Sequence, residues 1–284
     1  MREIRTLGII GAGQMGSGIA QVAASSGLTV RLLDSSQERA RRGFSVIEGQ
    51  LDLNVVKGKL TADERDAALG RIEVGKDLDL LGAADFVIEA ATESTEIKRE
   101  LFMVADRAAP AHAVLATNTS AIPITKLAAH TRRADRVVGM HFMNPAPLMR
   151  LVEIIRGLQT SPETEEIART LARRLGKDVV GAKDMPGFIV NRMLIPFLNE
   201  ACFALQEGLG GPEDIDRGAK LGLNHPMGPL ELADLIGLDT VLYMAEVLHR
   251  EFGEDKYRPP TILRNHVAAG WLGRKSGRGF YAYS

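Results

Sequence analysis

Leu7-Gly8-Ile9-Ile10-Gly11-Ala12-Gly13-Gln14-Met15-Gly16 decides how this chain is read. A short apolar run ends in Gly-x-Gly-x-x-Gly and passes directly into Ile19-Ala20-Gln21-Val22-Ala23-Ala24, which has helical character. Strand, glycine turn and helix N-terminus stand in the order a dinucleotide site requires. Gly11 permits a tight turn, Gly13 lets the backbone approach a pyrophosphate, and Gly16 lets the helix pack on the strand. The N–H groups and dipole of the first helical turn, from Gln14 and Met15 on, then face the phosphates. The glycine pattern alone is weak, and a glycine-rich turn in another α/β unit is the alternative. Here Thr29-Val30-Arg31-Leu32-Leu33-Asp34 supplies a second strand ending in an acid, about 20 residues on, where a ribose-binding carboxylate belongs.

The 284 residues are 25% charged and 45% hydrophobic, an ordinary globular composition with room for one large or two moderate domains. Lys plus Arg number 35 and Asp plus Glu 36, a formal charge of −1 that gives no pull towards nucleic acid or a membrane surface. The single cysteine, Cys202, excludes an intrachain disulfide, and no Cys/His cluster points to a metal. Cys202 reads as a small core residue. The apolar stretches are too short to span a bilayer, and the first strand starts too early for a signal peptide. A cytoplasmic protein is expected.

Residues 36–56 have helical spacing, and Thr61-Ala62-Asp63-Glu64 reads as a capping box opening a second helix. Together they predict a helical hairpin over about 36–70, longer than a crossover needs; it is either a ligand-binding arm or a solvated hairpin. Strands are predicted at 71–74, 84–90, 113–117, 136–142, 151–155 and near 178–180, with a helix over 162–175 between the last two. A helix after Ser94 is expected to bury Ile97, Leu101, Val104 and Ala105. The alternation predicts an α/β fold: a Rossmann-type, mostly parallel sheet with helices on both faces. From Pro186 the pattern becomes all-helical, with Pro196 inside a long apolar helix and no strand before the aromatic end, Gly279-Phe280-Tyr281-Ala282-Tyr283. The expected division is a dinucleotide-binding domain over 1–185 and a helical domain over 186–284. The latter is near the lower size for an independent core, so a second copy of the chain is expected to cover it.

In such sheets ligands bind beyond the carboxyl ends of the strands. Asp34, Glu93, Asn118, Ser120, His141 and Asn144 all follow strands, and this clustering points to an enzyme. A dinucleotide site makes redox chemistry the first expectation. Oxidising an alcohol carbon needs a base for the hydroxyl proton, and histidine suits that task in both directions. His112, His130, His249 and His266 lie in polar surroundings and read as surface residues, and His225 as part of a turn. His141 alone ends a buried-type strand. Glu153 is the one charge among Leu151, Val152, Ile154 and Ile155, where a carboxylate needs a partner and an imidazole is a natural one. A strand with one solvated face is the alternative. Ser120, with Asn118, either donates to a carbonyl oxygen or caps the helix that follows. Asn191 opens the helical domain and either faces the cleft or the solvent. Lys98 either reaches a cofactor hydroxyl or is a solvated helix lysine.

Taken together, Gly11-Ala12-Gly13-Gln14-Met15-Gly16, Asn118-Thr119-Ser120, Gly139-Met140-His141-Phe142-Met143-Asn144-Pro145, Pro186-Gly187-Phe188-Ile189-Val190-Asn191-Arg192, His225-Pro226-Met227-Gly228-Pro229 and Gly277-Arg278-Gly279-Phe280-Tyr281 resemble the 3-hydroxyacyl-CoA dehydrogenase family over essentially the whole chain. The resemblance implies NAD-dependent interconversion of an L-3-hydroxyacyl-CoA and its 3-ketoacyl-CoA, with short chains such as 3-hydroxybutyryl-CoA and acetoacetyl-CoA expected. It implies His141 as general base, Glu153 as its carboxylate partner, and Ser120 and Asn191 at the reacting group. It further implies Asp34 at the adenine ribose, Glu93, Lys98 and Lys275 as other cofactor contacts, Lys57 and Lys59 on the CoA moiety, and a homodimer through the helical domain. Gln50, Val56, Ala121, Met143 and Met185 depart from the family pattern and leave the CoA contacts and acyl length open. The rival expectations are a dehydrogenase of a CoA-free hydroxy acid, as in gulonate dehydrogenase and lambda-crystallin, and a dinucleotide-binding protein without turnover.

Overall fold

The computed structural model describes residues 3–283, which divide into two compact units between Met185 and Pro186. The first unit begins with β1 (Thr6–Ile10), α1 (Gln14–Ser25) and β2 (Thr29–Leu33). A hairpin of α2 (Gln37–Val56) and α3 (Ala62–Leu69) follows. Ser36 caps α2 by accepting from Arg39 N, and Thr61 and Glu64 exchange both bonds of a capping box at α3, as expected. Then come β3 (Ile72–Gly75), β4 (Phe86–Glu89), α4 (Thr95–Ala108), β5 (Val114–Thr117), α5 (Ile124–Ala128), β6 (Val137–Phe142), β7 (Leu151–Arg156), α6 (Pro162–Arg174) and β8 (Asp178–Lys183).

The strands join one sheet in the order β3-β2-β1-β4-β5-β6-β7-β8. All adjacent pairs are parallel except β6 with β7. Every residue of β4, β5 and β6 is buried, as a central sheet covered on both faces requires. From β1 the chain runs outward through β2 to β3 and then returns to β4 on the other side of β1, so the strand order reverses between β1 and β4. This switch point brings the ends of β1 and β4 together, and in such sheets the crevice lies there.

The buried stripe of α4 differs from the expected one. Lys98, Phe102, Ala105 and Asp106 face inward, whereas Ile97 is 43% exposed and Val104 only half-buried. Lys98 is drawn in by Glu89 at the end of β4 and by Glu93 just after it, a pairing that helical periodicity does not contain.

The second unit consists of α7 (Val190–Gln206), α8 (Pro212–Gly222), α9 (Pro229–Ile236), α10 (Leu238–Phe252) and α11 (Thr261–Ala268), with Pro196 inside α7. Two buried aspartates tie it together. Asp216 accepts from Leu230 N (2.8 Å) and Glu231 N (2.9 Å), capping α9, and from Tyr281 Oη (2.8 Å). Asp234 accepts from Phe280 N, Tyr281 N and Tyr283 Oη at 2.9–3.0 Å. The aromatic end is therefore no strand: it makes isolated bridges, Gly273 with Arg278 and Arg278 with Ala282, because its amides are spent on Asp234. His266 also departs from expectation. It is half-buried between Trp271 and Phe280, with Nδ1 2.8 Å from the Ile262 carbonyl oxygen. His112 and His249 are half-buried beside Asp85 (3.3 Å) and Asp255 (3.7 Å); His130 is exposed. Among the described residues, no helix is long and apolar enough to cross a membrane.

Candidate active site

In the antiparallel ladder of β6 and β7, Met140 pairs with Ile154 and His141 with Glu153. Directly opposed residues present their side chains to the same face. Met140, Phe142, Val152 and Ile154 all enter one hydrophobic cluster, which leaves the opposite face to His141 and Glu153. The imidazole is 5% exposed and the carboxylate 0%. They are joined, with His141 Nδ1 2.7 Å from Glu153 Oε2. A carboxylate on Nδ1 keeps the proton there in the neutral ring, so that Nε2 is the acceptor. Nε2 lies 3.1 Å from Ser120 Oγ. Carboxylate, imidazole and hydroxyl form one connected row at the carboxyl ends of β5 and β6.

Ser120 is held by the loop after β5. Its backbone N donates to Glu93 Oε1 (2.9 Å), and Thr119 Oγ1 donates to the same oxygen (2.5 Å). Ser120 does not cap α5. Asp184, at the end of β8, does so by accepting from Ile124 N and Thr125 N, both at 2.8 Å. Asn118 is a brace rather than a second donor, its Oδ1 accepting from Phe142 N (2.9 Å) and so joining β5 to β6.

Lys98 is no solvated lysine. It is 1% exposed, and its Nζ reaches Glu89 Oε1 (2.7 Å) and Oε2 (2.9 Å), the Ala91 carbonyl oxygen (3.3 Å) and Glu93 Oε2 (3.3 Å). These protein partners surround the ammonium, so the solvated-lysine alternative does not hold. Glu89 was missed in the sequence. Burial pushes its carboxyl above the usual range, and Lys98, Thr117 and the Ala91 amide oppose that. The signal was present: Glu89 is the one charge in Phe86-Val87-Ile88-Glu89, the same anomaly that marks Glu153.

The glycine loop fits a dinucleotide. Gly11 has φ +104°, and a Cβ there would meet the Ala90 carbonyl oxygen at 2.6 Å. A side chain at Gly16 would collide with the Gly11 carbonyl oxygen. Gly13 differs: its φ of −73° suits any residue, and a Cβ would meet nothing within 4 Å. The protein itself does not require glycine at that point, whereas a closely approaching ligand does. Gly13 is the N-cap of α1, without a side-chain cap and with no acid in the first turn, which leaves that end suited to an anion. Asp34 Oδ2 accepts from Ala12 N (2.8 Å) and Oδ1 from Ser35 N (2.7 Å). A cavity of about 610 Å³ opens here, lined by Gly11, Gly13, Asp34, Arg39, Lys76 and Ile97 among others.

Asn144, after β6, and Gln14 are exposed, and Met15 is half-buried. Lys57 and Lys59 are exposed at the tip of the hairpin, Lys57 ending α2. In the second unit, Asn191 stands half-buried in the first turn of α7, and Lys275 Nζ is paired with Asp239 at 2.6 and 2.7 Å. Cys202 is fully buried, and burial, with Asp234 and Asp216 adding to it, pushes its thiol up to about 12, which rules out a nucleophilic role.

Residues 6–185 match the family described as 3-hydroxyacyl-CoA dehydrogenase, NAD binding domain, and residues 187–283 match 3-hydroxyacyl-CoA dehydrogenase, C-terminal domain. A probable 3-hydroxybutyryl-CoA dehydrogenase of Bacillus subtilis is 52% identical over 281 residues, covering 99% of this chain and 98% of that protein. A 3-hydroxybutyryl-CoA dehydrogenase of Bradyrhizobium diazoefficiens is 50% identical, with coverage of 99% and 96%. Among solved structures, an (S)-3-hydroxybutyryl-CoA dehydrogenase from Ralstonia eutropha superposes with a TM-score of 0.95 at 52% identity, covering 99% of this chain and 100% of that one.

Proposed function

The chain belongs to the 3-hydroxyacyl-CoA dehydrogenase family, and from that premise we propose that it interconverts a short-chain L-3-hydroxyacyl-CoA, 3-hydroxybutyryl-CoA, and the corresponding 3-ketoacyl-CoA. NAD is its cofactor, which when bound takes up or returns the hydride of the reacting carbon. The observation that carries the reading is the row of Glu153, His141 and Ser120.

In the oxidative direction the substrate hydroxyl enters between Ser120 Oγ and His141 Nε2. His141 removes the hydroxyl proton as the hydride leaves the carbon that bears that oxygen. Glu153 keeps Nδ1 protonated and stabilises the imidazolium that forms. In reverse, the imidazolium returns the proton to the carbonyl oxygen, where Ser120 donates a hydrogen bond to the developing negative charge. Asn191, from the second unit, steadies the reacting group. Asp34 takes the adenine-ribose hydroxyls and favours NAD over NADP, because a carboxylate repels a 2′-phosphate. Gly11, Gly13, Gly16, Gln14 and Met15 cradle the pyrophosphate, and Glu93, Asn144 and Lys275 complete the cofactor contacts. Lys57 and Lys59 meet the phosphates of CoA.

A cytoplasmic homodimer through the helical unit completes the proposal. Met193, Leu209, Leu221 and Leu223 are 63–83% exposed there, an apolar surface that a second copy would cover. The test is NADH absorbance with acetoacetyl-CoA as substrate. Turnover of acetoacetyl-CoA and none of free hydroxy acids is expected. Activity on gulonate or another CoA-free acid alone would overturn the substrate, and a tight NADH complex with no turnover would overturn catalysis.

A further inference from the structure

Behind Glu93 lies a closed group of charges that the proposed chemistry does not use. Lys98 serves two carboxylates at once, Glu89 at 2.7 and 2.9 Å and Glu93 at 3.3 Å. Glu89 also accepts from Ala91 N (2.6 Å) and Thr117 Oγ1 (2.7 Å). Thr117 Oγ1 in turn accepts from Thr119 N (3.2 Å), which turns its own proton towards Glu89. Every partner of Glu89 therefore donates, the pattern of an ionised carboxylate.

One cation against two anions leaves a net charge of −1. Glu89 and Lys98 are sealed, their side chains 2% and 1% exposed, whereas the Glu93 side chain is 27% exposed. The surplus charge is thus presented on the side of Glu93, which also binds Ser120 N beside His141. Lys98 and Glu93 alone would make a neutral pair. With a glutamine at Glu89 the amide oxygen could still accept from Lys98 and Thr117, and only the bond from Ala91 N would lose its acceptor. A second buried carboxylate carries a desolvation cost that a neutral amide of the same shape avoids.

The oxidised nicotinamide ring carries a positive charge that the reduced ring lacks, so a fixed charge nearby discriminates between the two forms. We propose that the Glu89–Lys98–Glu93 group holds a net negative charge that biases this site towards the oxidised cofactor, with Glu89 a positioning and charge-setting residue acting through Lys98. The inference rests on the proposed placement of Glu93 against the cofactor.

The test uses the full chain and measures dissociation constants for NADH, by its fluorescence, and for NAD+, by competition. In Glu89→Gln the ratio Kd(NAD+)/Kd(NADH) should rise about three- to tenfold, the size expected of one unit charge at the effective dielectric near a protein surface. Glu89→Asp keeps the charge and should keep the parent ratio even where both affinities fall. A merely structural Glu89 would weaken both forms alike, and an unmoved ratio overturns the proposal. If Glu89→Gln fails to fold, Glu93→Gln reads the same ratio from a partly exposed position, and an unmoved ratio there overturns it equally. Failure of the unaltered chain to bind NADH or to turn over acetoacetyl-CoA is a different result, which overturns the functional reading instead.

Discussion

Glu153 and Glu93 in the first unit meet an imidazole, an ammonium and hydroxyls at the ends of strands. Asp216 and Asp234 in the second unit are as deeply buried as Glu153 but bind backbone amides and tyrosine hydroxyls. The four share a charge and differ in what answers it. A backbone amide neither titrates nor moves, so a carboxylate committed to amides fastens the chain. A carboxylate that meets an imidazole can stabilise its protonated form near neutral pH in the course of a reaction, whereas the tyrosine hydroxyls on Asp216 and Asp234 keep their protons there. The contrast predicts that damage to the first pair appears in rate and damage to the second in stability.

The largest effect is expected at His141. His141→Gln should lower turnover of acetoacetyl-CoA by about 10²–10⁴, with NADH still bound, in a stopped-flow and fluorescence-titration comparison. Glu153→Gln should follow with a loss on the order of 10², since the imidazolium loses its counter-charge. Near-normal turnover in either would place these residues with the fasteners. Asp234→Asn should cost roughly 2–4 kcal/mol in urea unfolding, because it leaves donors of the aromatic end poorly matched, and should leave NADH affinity within about twofold. A lost NADH affinity at unchanged stability would erase the distinction between the two regions.

Smaller effects sharpen it. Asp34→Ser should shift the NADPH/NADH preference by about tenfold towards NADPH, because Arg39 lines the same cavity and its guanidinium is 4.0 Å from the carboxylate. In the second unit, burial and the bond to Asp234 push the Tyr283 hydroxyl from 10.0 up to about 12. A group raised on folding stabilises fully below its unfolded value and loses that contribution as pH rises through the folded one. Stability should therefore fall between pH 10.0 and about 12, and Tyr283→Phe should flatten that decline in unfolding curves.

The parts of the site readable in the sequence are those set by short spacing. The glycine turn, its helix and Asp34 lie within one βαβ stretch, and Glu153 stands out as a lone charge in an apolar strand. That it meets His141 follows from the reversed direction of β7, which alternation of elements does not announce. The burial of Lys98 is not legible in its helix because Glu89, at the end of β4, and Glu93, just after it, stand at no helical spacing from it. Ile97 looked like core for the complementary reason: it faces the nucleotide-side cavity and is left open by the fold. Asp184 gave no local sign of capping α5, 60 residues away in sequence from Ile124. The aromatic end looked like a strand because its composition is strand-like, while its amides answer to a buried aspartate.

The cross-strand register of His141 and Glu153 has an evolutionary consequence. The ladder, and not the segment joining β6 to β7, sets the encounter; that segment carries its own constraints, with Ala146 in the core and its carbonyl oxygen accepting from Lys177 Nζ. A slip of one residue, however, would turn Glu153 into the layer occupied by Met140 and Phe142 and bring Val152 or Ile154 to the imidazole's side. Loss of register would then separate the pair and disrupt the core together. Selection for a folded chain therefore preserves the meeting of His141 and Glu153 as a by-product.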